Sequence, residues 1–335
     1  MAKYTRLCYA ERKRIEQLKS EGKGVRAIAR ILNRSPSSIS YELNRRCTFY
    51  NASTAQRDAT YNQKLRGKKS KITGPLEAMI LYLLIEVRCS PEQISGQLRR
   101  SYPDARELQV SPEAIYLWIY AHPERRLLTT FFRRRHRARR GRGEKMLKRG
   151  GIKNRVSIRE RPAEVDTREE PGHWEGDLIL GAKHQSAIGV LVERSSRYTI
   201  LIRTDNKEAQ TISENFIRFL QKVPASLRRS LTYDNGSEMA YHENISQALG
   251  MKVYFADPRS PWQRGSNENT NSLVREFFPK GTDLSVHSQE HLGSVAALLN
   301  RRPRKVLAYI SPAEVFGYMC ENQNETLTRC LSLLK

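Results

Sequence analysis

Residues 172–181 read GHWEGDLILG: an apolar, strand-like run bounded by glycines, with Asp177 in its middle. Aspartate is disfavoured in strands and costly to bury without a partner, so something other than propensity put it there. Two more strand-like runs follow across turn residues, QSAIGVLVERSS at 185–196 and RYTILIRTD at 197–205. Beyond them the apolar period lengthens. Residues 207–220 predict a helix with Ile212, Phe216 and Phe219 on one face. SLTYDNGS (230–237) predicts a short strand into a turn, residues 241–249 a helix, and MKVYFADP (251–258) a further strand. A last helix is expected over about 288–300.

Three strands, helix, strand, helix, strand, helix is a mixed α/β order, and it fits a ribonuclease H-like fold. Between the last strand and the last helix stands SPWQRGSNENTNSLVREFF, residues 260–278. Ser-Pro-Trp and the glycine of QRG predict a turn, and the residues after Ser266 a helix with Leu273, Val274 and Phe277 as its apolar stripe. Glu268 and Arg275 are seven residues apart, about two helical turns, and so share a face with Asn271 and Ser272 alongside. Asp177 in a strand, Asp234 at a strand end and Glu268 on a helix can converge at one sheet edge on this fold. Asp-Asn-Gly at 234–236 is also good turn chemistry in its own right. Glu175, on the same strand face as Asp177, competes for the first position. Three carboxylates packed together repel unless cations neutralise them. Two Mg²⁺ ions, with Mn²⁺ able to substitute, would do so and would suit phosphodiester displacement.

The 335 residues suffice for two or three domains. Lys and Arg number 59 against 35 Asp and Glu, a net charge of +24 that implies a polyanionic partner. No apolar stretch approaches the roughly 20 residues of a spanning helix, and MAKYTRLCYAERKR lacks the apolar core of a signal peptide. DNA is therefore the expected partner, with no membrane, in the cytoplasm. Five cysteines with no CxxC agree with a reducing compartment. His287 and His291 form an H-x3-H, but Cys320 and Cys330 are too far apart for a closed zinc site.

Residues 1–50 predict a helix-turn-helix domain. Val25, Ile28, Ala29 and Leu32 mark its second helix, and Ser35-Pro36 opens a third holding Ile39 and Leu43. That third helix would present Ser37, Ser38, Ser40, Tyr41, Asn44 and Arg45 outward, residue types that read grooves and hold phosphates. Residues 51–132 are expected to hold a linker and a second helical, helix-turn-helix-like region. The linker or arm spans about 45–71, and Ser90-Pro91-Glu92-Gln93 and Ser111-Pro112 mark helix starts after it. Residues 133–165 predict a flexible basic linker: 133–155 carries twelve Lys or Arg and one acidic residue, Glu144. Such a stretch suits a phosphate-tracking strap. The catalytic core would occupy 166–335, ending in a helical tail.

GHWEGDLILG, TYDNGSE (232–238), SPWQRGSNENTNSLVREFFPKGTD (260–283) and NRRPRKVLAYISPAEVF (300–316) resemble the signature blocks of the insertion sequence 30 family of bacterial DDE transposases. The 33 residues between Asp234 and Glu268 match that family's spacing, and Arg275 falls where such enzymes carry a basic residue. The resemblance covers essentially the whole chain. It implies that Asp177, Asp234 and Glu268 bind the metal, and that Arg275 contacts DNA. It further implies binding to an element's terminal inverted repeats, nicking to free a 3′-hydroxyl, and strand transfer into target DNA by a homo-oligomer. A non-enzymatic helix-turn-helix repressor, and a nuclease or resolvase on the same fold, are the rival readings.

Overall fold

The computed structural model describes residues 6–44, 49–65, 70–132, 152, 154–182, 186–206, 208–258, 260–323 and 325–334. It divides into two compact units, Met1–Ser70 and Lys71–Lys335.

The N-terminal unit holds α1 (Tyr9–Ser20), α2 (Val25–Ile31), α3 (Pro36–Asn44) and α4 (Ala52–Leu65). Ile15, Leu18, Ile28, Ile39 and Leu43 form its core, at the helical spacing the sequence shows. The Ser35 side chain caps α3, accepting from the Ser38 N–H at 3.2 Å, ahead of Pro36. Inside lies an ion pair, Arg12 Nε to Glu42 Oε1 at 2.7 Å, with both side chains buried. The arm expected over 45–71 is corrected here. Its central part is the 14-residue α4, started by Asn51, whose side-chain Oδ1 accepts from the Thr54 N–H at 3.0 Å. Its buried face is made of alanines, Ala52 and Ala55, which give little apolar signal.

The larger unit begins with α5 (Pro75–Ile85), α6 (Pro91–Ser101), α7 (Pro112–Ala121) and the one-turn α8 (Arg125–Leu128). Ser90 and Ser111 cap α6 and α7 as their sequences predict. Of residues 133–155 only 152, 154 and 155 are described, so the expected strap lies almost wholly outside the described residues. After α9 (Glu164–Thr167) come β1 (His173–Leu180), β2 (Ala187–Glu193), β3 (Thr199–Thr204), α10 (Ala209–Leu220), β4 (Ser230–Tyr233), α11 (His242–Leu249) and β5 (Lys252–Phe255). The chain closes with α12 (Gly265–Val274), α13 (Gln289–Arg301), α14 (Pro312–Glu321) and α15 (Leu327–Leu333).

The five strands form one sheet in the order β3-β2-β1-β4-β5. β1 to β3 run antiparallel, whereas β4 and β5 run parallel to β1, reached through the crossover helices α10 and α11. This is the mixed five-stranded sheet of the ribonuclease H-like fold. β2 is buried along its whole length, which is why its sequence is a continuous apolar run rather than an alternation. Trp174, Leu191, Ile202, Phe216, Leu231, Ile245 and Val315 pack on one face of the sheet. Ile179, Val190, Val192, Leu201, Leu273, Val274, Leu292 and Leu299 pack on the other, under α12 and α13. Because strand side chains alternate, Glu175, Asp177 and Ile179 lie on the α12 face.

Candidate active site

The site forms where α12 crosses β1. The Glu175 carboxylate accepts from the Asn267 N–H at 2.8 Å, and Asn271 Nδ2 donates to Asp177 Oδ2 at 2.7 Å. Two strand residues advance roughly 6.8 Å and four helical residues roughly 6 Å, so helix and strand stay in step along the contact. Further on, Arg275 Nη2 donates to the Leu180 carbonyl at 2.8 Å. Glu175 is fully buried and also faces Arg194 Nε at 3.4 Å. Asp177 is partly exposed.

Beside β1, β4 delivers Asp234 one residue beyond its end. Asp234 Oδ1 accepts from the Gly236 N–H at 3.0 Å, so it makes the Asx turn that Asp-Asn-Gly predicts while its other oxygen faces the site. Both aspartates look at one cation. Arg264, at the end of the 3₁₀ turn Pro261–Arg264, places Nη1 at 3.7 Å from Asp177 Oδ1 and Nη2 at 3.6 Å from Asp234 Oδ2. Burial raises the Asp177 pKa above the usual carboxylate value; Arg264 opposes that rise and Asp234 adds to it. Beneath the pair lies Tyr233, fully buried, its hydroxyl held neutral by burial and by Glu238, Asp177 and Asp234. A Cβ on Gly176 would meet the Tyr233 ring at 2.7 Å, so that glycine gives the ring its place.

Glu268 stands on α12 one turn before Asn271, exposed, with no hydrogen bond or ion pair among the described residues. The structure thus brings Asp177 and Asp234 together on one guanidinium, and leaves Glu268 on the adjacent helix. Among the described residues no three His, Cys, Asp or Glu side chains are already grouped to hold a metal. The donors nevertheless suit a hard cation. They are oxygens, a guanidinium occupies the space between the aspartates, and Asn271 Oδ1 is buried without a hydrogen-bond partner.

Arg275 makes no ion pair with Glu268 among the described residues. It caps α12, its guanidinium donating to Leu180 and Phe278 carbonyls. Arg264 and Asn271 are site residues that the sequence reading did not assign. Both sit in the quoted 260–278 block, but their partners come from β1 and β4 and are visible only in three dimensions. In the N-terminal unit, Ser37, Tyr41 and Asn44 are exposed on α3 and Ser38 is partly so. Arg45 lies outside the described residues.

A small helical domain for recognition, joined in one chain to a mixed sheet that pairs one aspartate within β1 with another just past β4, defines a nucleic-acid-processing enzyme of the integrase-core class. Family models agree: residues 3–46 match "Helix-turn-helix domain" and residues 167–261 match "Integrase core domain", the second match ending before Glu268. The chain belongs to the insertion sequence 30 family of transposases. It is 45% identical to the transposase for insertion sequence element IS1086 of Cupriavidus metallidurans, over 97% of this chain and 98% of that one. It is 43% identical to transposase InsI for element IS30A of Escherichia coli, over 92% and 82%. It is 36% identical to the transposase for element IS4351 of Bacteroides fragilis, over 89% and 91%. No helix among the described residues is long and apolar enough to cross a membrane.

Proposed function

We propose that this transposase binds the terminal inverted repeats of its element through α3, nicks the DNA there, and joins the freed 3′-hydroxyl to target DNA, at a site built from Asp177, Asp234 and Glu268. The observation that carries this reading is the pair of aspartates, from neighbouring strands, converging on one cation. Asp177 rather than Glu175 takes the first position, because the Glu175 carboxylate is fully buried and engaged with α12 and Arg194. Glu268 completes the set from α12, within a short helical reach of Asn271.

Asp177, Asp234 and Glu268 would hold two divalent ions, Mg²⁺ or Mn²⁺. Such ions activate an attacking oxygen and stabilise a leaving one in phosphodiester displacement. The chain's own residues supply the frame. Asn271 fixes the Asp177 carboxylate, the Gly236 N–H orients Asp234, and Glu175 sets the start of α12 and with it Glu268. Arg275 holds the other end of α12 to β1 and keeps positive charge near the DNA path. The helix-turn-helix domain supplies recognition, with phosphate contacts setting register and Ser37, Ser38, Tyr41, Asn44 and Arg45 meeting base edges. An element has two ends to bind, and a working complex with one copy on each end is the assembly this reading expects.

The test is a nicking and joining assay on DNA carrying the element's own ends, with Mg²⁺. Asp177→Asn, Asp234→Asn and Glu268→Gln should each bind the ends as wild type does, yet neither nick nor join. Cleavage by Asp234→Asn at near the wild-type rate would end the proposal.

A further inference from the structure

Arg264 has a place in the site that neither metal ligation nor base reading explains. Its guanidinium is largely enclosed, 15% exposed, yet its backbone lies in a short turn beside the exposed Trp262. Nη1 donates to the Gly176 carbonyl at 3.0 Å, a single well-formed bond. To the two carboxylates it stands at 3.7 and 3.6 Å, close enough for charge attraction but beyond hydrogen-bond length. The group is held near both aspartates without being clamped to either. A bidentate arginine–carboxylate fork, the usual structural use of this side chain, would sit closer and face one partner.

We propose that Arg264 is the displaceable counter-ion of the metal-free site: its guanidinium keeps the place of a divalent cation between Asp177 and Asp234 and gives it up when the metal enters. Two carboxylates on adjacent strands repel unless a positive charge lies between them. One guanidinium supplies that charge, and its long stem lets it leave without moving the strands. A divalent ion bridging the same carboxylates would meet like charge in the same space, so the two occupants exclude one another. Arg264 therefore protects the empty site and weakens metal binding to it. A residue serving only to brace the turn would leave metal affinity untouched.

This inference rests on the reading of Asp177 and Asp234 as metal carboxylates, and the experiment separates the two. Full-length protein without DNA is titrated with Mn²⁺, following the free ion by electron paramagnetic resonance. Arg264→Gln should bind Mn²⁺ about 10-fold more tightly than wild type, the effect expected from removing a like charge within about 4 Å. Arg264→Lys should stay near wild type. Metal-free Arg264→Gln should melt below wild type and recover on adding Mn²⁺. Arg264→Met, which keeps the stem, gives the same readout should the glutamine variant not fold. Affinity in the Gln and Met variants equal to or weaker than wild type would overturn the counter-ion role. Mn²⁺ binding unchanged in Asp234→Asn would instead overturn the carboxylate assignment. Loss in Asp234→Asn without gain in Arg264→Gln removes the counter-ion role alone.

Discussion

Two regions of this chain carry the same helical signature and use it differently. In the N-terminal unit α3 turns Ile39 and Leu43 inward and shows Ser37, Tyr41 and Asn44 to solvent. In the larger unit α6 also turns an apolar pair inward, Ile94 and Leu98. Its other side is occupied. Gln93 Nε2 donates to the Pro303 carbonyl at 2.7 Å, the Tyr309 ring lies against Gly96, and Arg100 donates to Glu314 and to the Leu334 carbonyl. Apolar period says that a helix has a buried side. What the opposite side meets decides whether the helix reads DNA or braces an enzyme. On that criterion α3 keeps a free face, as the proposed reading helix must, and α6 fastens α5 to α7 onto the segment 300–316.

The largest expected effect bears on that fastening. Arg302 is fully buried, donates to the Val87 carbonyl at 3.2 Å and pairs with Glu276 at 2.9 Å. Arg302→Ala should destabilise the larger unit by about 3–5 kcal/mol, lowering its calorimetric transition while the N-terminal unit melts as before. An unshifted transition would mean that the second helical region is not fastened to the core. Acid should separate the units next. His173 in the larger unit has its pKa lowered to about 4 by burial, then by Arg229, Arg194 and Arg161. Its neutral form therefore adds stability that is complete above about 6.5 and lost as pH falls from there towards 4, up to about 3 kcal/mol. Glu11 in the N-terminal unit is lowered to about 2, chiefly by its hydrogen bond with Arg34. Its contribution is lost only between about 4.5 and 2. At pH 5 the larger unit should thus weaken first, and His173→Gln should flatten that limb; the reverse order would break the contrast.

The smallest pair of effects sharpens it. A Cβ at Gly96 would lie 2.2 Å from the Tyr309 ring, so Gly96→Ala should cost about 1–3 kcal/mol of stability without altering the ratio of specific to non-specific DNA affinity. Asn44→Ala should do the opposite, weakening specific binding by about 1–3 kcal/mol per lost base contact at an unchanged melting temperature. Specificity surviving in Asn44→Ala would place the reading surface elsewhere.

Local chemistry made most of the fold legible. The serine-proline starts at 35, 90 and 111 and the strand runs at 173–204 needed no partner to be read. α4 was hidden because its buried side is alanine, whose polar neighbours resemble a linker. At the site, the sequence order pointed to Asp177, Asp234 and Glu268, but the rank of Glu175 depended on a hydrogen bond to Asn267, 92 positions away. Arg264 was equally unreadable: four residues before Glu268 it looks like part of a basic surface. Its meaning comes from two strands that precede it in the chain.

The sheet order also sets a sequence of events in time. β1 cannot pair with β4 until the chain from Leu180 to Ser230 has closed on itself, and α12 can settle only on the finished strands. Long-range pairings of this kind form slowly, whereas a bundle of short neighbouring helices forms fast. On a growing or refolding chain the helix-turn-helix unit is therefore complete before Asp177 and Asp234 meet. Pulsed hydrogen exchange during refolding should protect amides of α1 to α3 before those of β1 and β4. A newborn molecule would present its helix-turn-helix domain before its integrase-core sheet is assembled.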